Sequence, residues 1–80
     1  MIVSLEISYY PLVNEFTNPV NEFIEKISND ALEIETGKMS TIITGEYTIL
    51  MKILTETIET LMEKHPSVFT IKLSNTCSVT

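Results

Sequence analysis

What most restricts the fold of this 80-residue chain is the order in which its hydrophobic period changes. Ile2 to Tyr10 alternates, with Val3, Leu5, Ile7 and Tyr9 set against Ser4, Glu6, Ser8 and Tyr10. That is the pattern of a strand with one buried face, and Pro11 ends it. The stretch PLVNEFTNP then reads as a loop leading into a helix. Asn18 is placed as its N-cap, with Pro19 at the first helical position. Val20, Phe23, Ile24 and Ile27 recur at helical spacing, Asn21, Glu22, Glu25 and Lys26 take the wet side, and the helix is expected to stop near Asn29.

Residues 31–45, ALEIETGKMSTIITG, read as a hairpin. Leu32 and Ile34 alternate with Glu33 and Glu35, Thr36-Gly37-Lys38 turns the chain, and Met39 to Thr44 returns. Gly45 is expected to break strand from helix. A long helix follows from about Glu46 to Lys64 with Tyr47, Leu50, Met51, Leu54, Ile58 and Leu61 as its apolar stripe, and His65-Pro66 ends it. In SVFTIKLSN, Phe69, Ile71 and Leu73 alternate with Val68, Thr70, Lys72 and Ser74.

This order predicts an α+β fold of ferredoxin-like βαββαβ type, a four-stranded antiparallel sheet with two helices on one face. One domain, residues 1–80, is expected, because a second core would not fit. A domain of this size buries only about 60% of its unfolded surface, which favours a homo-oligomer.

Composition narrows the function. Eleven acidic residues face five basic ones, all lysine, for a net charge of −6. The acidic field disfavours nucleic acid, and without arginine there is no bidentate fork for phosphate, which disfavours chemistry of the acylphosphatase type. Cys77 is the one cysteine, which excludes an internal disulfide and a CxxC metal site, and it reads as inert. No signal sequence or apolar span is visible, so a cytoplasmic protein without membrane insertion is expected. No catalytic constellation, metal site or cofactor is predicted, and the expectation is a non-enzymatic protein. His65 reads as a helix C-terminal residue and the Glu33/Glu35 pair as a solvated strand face.

The predicted fold leaves one sheet face without cover, and the strand phases put Glu6, Ser8, Tyr10, Thr70, Lys72 and Ser74 on it. The plain account is a solvated face with a Glu6–Lys72 cross-strand pair. The alternative is a polar ligand platform or a self-complementary dimer face. The third strand has two possible phases, because Ile42 and Ile43 are adjacent. With Ile43 inside, Thr41 faces the helices too; with Ile42 inside, Ser40 and Thr44 do. A buried threonine hydroxyl needs a partner, either a backbone carbonyl or a ligand in a cavity.

The strings EISYYPL, GKMSTIITGEY and TIKLSNTC together resemble the thiamine-binding protein family, and the resemblance covers nearly the whole chain. It implies a ferredoxin-like domain that binds thiamine or its hydroxymethylpyrimidine half, with no known catalysis, and that assembles as dimers or tetramers through its sheet. A threonine ahead of an apolar pair and a glycine-acid step after it match Thr41 and Gly45-Glu46. The matching positions imply ligand contacts from Ser8, Tyr10, Ser40, Thr41, Ser74 and Asn75, and Glu6 is placed to balance a thiazolium charge. The competing expectation is a regulatory or assembly module that joins subunits through its sheet and takes no ligand.

Overall fold

The computed structural model describes residues 1–15 and 17–76, so Cys77 lies outside the described residues. The elements run β1 (Ile2–Pro11), α1 (Thr17–Ile27), β2 (Glu33–Thr36), β3 (Thr41–Glu46), α2 (Tyr47–Lys64) and β4 (Ser67–Ser74). They build a ferredoxin-like sheet of order β2-β3-β1-β4, with every neighbouring pair antiparallel.

Alternation in β1 does what its period requires. Val3, Leu5 and Ile7 are buried beneath the helices and pack with Ile43 of β3, Phe23 and Ile27 of α1, and Leu50, Leu54 and Leu61 of α2. Full burial of one such side chain contributes about 1.5–3 kcal/mol. Pairing of Ile7 with Thr41 and of Leu5 with Ile43 resolves the phase of β3: Thr41, Ile43 and Gly45 face the helices, and Ile42 faces away.

Several boundaries differ from expectation. Helix α1 spans Thr17–Ile27, so Asn18 lies inside it, Pro19 is a buried third residue, and the helix ends before Asn29. The Glu15 carboxylate accepts a hydrogen bond from the Thr17 N–H, in the role expected of Asn18. Strand β3 starts at Thr41 rather than Met39. Gly45 does not break the chain: it pairs with Val3 inside β3. Space is the reason for a glycine there, since a Cβ would stand 2.5 Å from Leu32 Cδ2.

Helix α2 follows β3 directly. The Glu46 carboxylate caps it by accepting from the N–H groups of Thr48, at 2.8 Å, and Ile49, at 3.3 Å. At the other end Pro66 holds His65 in extended backbone, which terminates the helix.

The two sheet edges are unlike. β2 has four residues and carries Glu33 and Glu35, whereas β4 has eight and a single charge, Lys72. Ile71 and Leu73 pair with Ile7 and Leu5 on the helix side, yet they stay 43% and 46% exposed.

Candidate functional site

Two regions contain the residues that the sequence singles out, one on each face of the sheet. On the uncovered face the polar groups satisfy one another. The Ser40 hydroxyl donates to a Glu6 carboxylate oxygen at 2.9 Å, and Lys72 Nζ stands 3.9 Å from the other oxygen. Ser8 donates to the Met39 carbonyl at 3.2 Å, and the Ser4 and Thr44 hydroxyls share a hydrogen bond of 2.9 Å.

On the helix side a cleft of about 530 Å³ opens between α1 and the β2–β3 turn. Ile7, Tyr9, Val20, Phe23 and Ile24 form its apolar wall, and residues 36–40 form its mouth. Thr41 lies in the lining at only 6% exposure, and its hydroxyl makes no hydrogen bond to any described residue. Tyr9 stacks on Phe69, with ring centres 4.7 Å apart and planes 6° from parallel, and tilts against Phe23 at 5.5 Å. Its hydroxyl is buried without a partner. A volume of this size, mostly apolar with a few polar points, suits a small heterocycle.

The turn at the mouth is closed by the Gly37 N–H donating to the Ser40 carbonyl at 2.8 Å. Lys38 is the one charged residue in the described lining, and no carboxylate is part of it.

The structure brings some expected site residues together and separates others. Thr41 and Ser40 both line the cleft, although the Ser40 hydroxyl turns towards Glu6 on the other face. Tyr10 contributes to the rim and is half exposed. Glu6 and Ser8 belong to the uncovered face, outside the cleft lining. Ser74 pairs with Ser4, at the opposite end of β1 from the Tyr9–Phe69 pair, and Asn75 follows beyond β4. Sequence reasoning passed over Tyr9 and Phe23 as ordinary core. The available signal was a phenol closing an otherwise aliphatic inward series, Val3, Leu5, Ile7, Tyr9.

One ionised group outside the cleft is perturbed. A hydrogen bond from Lys64 holds the Glu22 carboxyl below its usual range, and the nearby charge of Lys26, 3.9 Å away, acts in the same direction. Because Glu22 is on α1 and Lys64 on α2, the pair ties the two helices together. Among the described residues no cluster of histidine, cysteine and acidic side chains could hold a metal ion, and no helix is long and apolar enough to cross a membrane.

A family profile described as thiamine-binding protein matches residues 5–75. The chain belongs to that family. Membership gives it a thiamine-related role, and the match spans Thr41 and the cleft turn. Among solved structures, a Streptococcus pneumoniae protein is 21% identical with a TM-score of 0.83, covering 92% of this chain and 86% of its own. A Thermotoga maritima protein, provisionally assigned to thiamine biosynthesis or salvage, is 23% identical with a TM-score of 0.81, covering 100% and 90%. A hypothetical protein of Methanocaldococcus jannascii is 25% identical with a TM-score of 0.80, covering 92% and 79%. These likenesses establish the fold. No curated protein matches the chain.

Proposed function

We propose that the chain binds thiamine or its hydroxymethylpyrimidine half in the helix-side cleft, without transforming it, in vitamin uptake, salvage or storage in the cytoplasm. The observation that carries this reading is Thr41, a buried residue of the family-matched strand whose hydroxyl reaches the cleft lining with no partner of its own. Unlike a sealed polar atom, this oxygen stays within reach of solvent at the cleft, so a ligand can bond to it by displacing water. An aminopyrimidine can do so, since a hydroxyl both donates and accepts.

Charge favours the pyrimidine half for the interior. The lining holds Lys38 and no carboxylate, so a neutral ring enters more readily than a thiazolium cation. Glu6 lies outside the cleft lining, its carboxylate engaged by Ser40 and Lys72, so this reading gives it no part in balancing that cation.

The test is isothermal titration with thiamine, hydroxymethylpyrimidine and thiamine phosphate, on wild type and Thr41→Val. The expected result is micromolar or tighter binding, with hydroxymethylpyrimidine bound at least as tightly as thiamine, and about tenfold weakening by the substitution. No heat with any of the three, from folded protein, removes the ligand reading.

A second reading is favoured by the β4 edge. Long, apolar and carrying one charge, it lacks the devices that keep sheet edges from pairing, whereas β2 is short and acidic. An assembly module, or a ligand-binding dimer or tetramer, would join copies through its sheet. Ile71→Glu is then expected to shift the assembled protein to monomer in sedimentation; an unchanged mass would remove β4 as the joining edge.

A further inference from the structure

We propose that the Tyr9 hydroxyl is a second recognition group of the cleft and that a hydrogen bond to the bound ring completes it. The proposal rests on the reading of the cleft as a pyrimidine site. Among the described residues, this oxygen is the one buried side-chain nitrogen or oxygen with no hydrogen-bond partner. Buried polar groups are nearly always satisfied, so an orphan at the wall of a cleft requires a reason.

Packing does not supply that reason. The Tyr9 ring is stacked on Phe69 and tilted against Phe23, and a phenylalanine would make both contacts equally well. In the free protein the oxygen is therefore a net loss. Water does not reach the oxygen in the free chain, so a bound ring meets it only as the cleft wall around the phenol gives way.

Position supports the assignment. Ile7 pairs with Thr41, so Tyr9, two residues further along β1, lies diagonally across from Thr41 on the same face. Both residues line the cleft. Two hydroxyls along one wall match a ring edge that presents an amino donor beside a ring-nitrogen acceptor, because each hydroxyl can take either role. This predicts selectivity for aminopyrimidines over rings of equal size that lack polar edge atoms. A site built to bond a polar edge discriminates sharply against its absence.

The experiment compares wild type with the near-isosteric Tyr9→Phe by thermal melting, by titration with hydroxymethylpyrimidine and thiamine, and by tyrosine difference absorption on adding ligand. The expected result has two opposite signs. Tyr9→Phe melts at or above the wild-type temperature, yet binds hydroxymethylpyrimidine about tenfold more weakly. Wild type shows a ligand-induced tyrosine difference band that the variant lacks. Equal affinity in the two proteins overturns the role of Tyr9 while leaving the cleft reading intact. A clear fall in the variant's melting temperature also overturns it, since the hydroxyl would then have a partner in the free chain. Absence of binding by wild type rejects the cleft reading, and this proposal with it.

Discussion

The two faces of the sheet are made by the same strands, yet they treat polar side chains in opposite ways. On the uncovered face Ser4 bonds Thr44, Ser40 bonds Glu6, Glu6 approaches Lys72, and Ser8 bonds a carbonyl. On the helix face the hydroxyls of Thr41 and Tyr9 have no partner among the described residues. The uncovered face is richer in polar residues, and that richness first draws attention as a binding platform. Its groups are already occupied with each other, however, and exposed pairs of this kind contribute little. Chemical readiness lies on the poorer face, where two hydroxyls border a cleft and water does not reach one of them.

The contrast can be broken most sharply at two adjacent isoleucines. Ile43 is 1% exposed and Ile42 38%, so Ile43→Ala is expected to lower unfolding stability by about 2–5 kcal/mol in chemical denaturation. Ile42→Ala should cost clearly less, about 1 kcal/mol. Equal losses would mean that β3 does not hold the stated phase.

Ligand affinity separates the faces next. Glu6→Gln is expected to leave hydroxymethylpyrimidine and thiamine binding within about twofold of wild type, against the roughly tenfold loss for Thr41→Val. Tighter dependence on Glu6 than on Thr41 would move the site to the uncovered face. Within that face, Ser40→Ala removes one hydrogen bond to Glu6 and should lower stability by about 0.5–1.5 kcal/mol.

The smallest effect concerns pH. The Glu22 carboxyl is lowered in the folded protein by Lys64, so its contribution to stability is present above the unfolded glutamate range and disappears as pH falls through the lowered folded value. Lys64→Met should remove that part of the acid dependence, seen as a smaller difference between the two proteins at low pH than at neutral pH. A difference that does not change with pH would show that the pair is not what Lys64 contributes.

Much of this was legible in the chain before its structure. Regular alternation in β1 and β4 separated inward from outward residues, and helical spacing marked Phe23, Ile27, Leu50, Leu54 and Leu61. The inward series carried Thr57 as well, buried with its hydroxyl on the Ile53 carbonyl, which no hydrophobic pattern would flag. The phase of β3 was ambiguous because two isoleucines satisfy either face. Gly45 held the clue, since it lies two residues from Ile43 on the inward side, where a Cβ would press on the Leu32 side chain. The distribution of hydroxyls over two faces was not legible, because motif strings such as EISYYPL mix inward and outward residues. Tyr9 was hidden for a different reason. A tyrosine in an apolar series reads as core, and only the surrounding packing reveals whether its oxygen has a partner.

The pairing of Ser4 with Ser74 has a consequence for how the fold forms. Strand β1 enters the sheet where β4 leaves it, so the pairing that seats the edge strand β4 beside the inner strand β1 is also among the most distant in sequence. Closing so long a loop slows folding more than it weakens the product. A circular permutant that joins the two strand ends by a short linker, and opens the chain at the solvent-side turn after α1, would turn that pairing into a local hairpin. Its refolding would be faster, with the sheet and the cleft it walls unchanged.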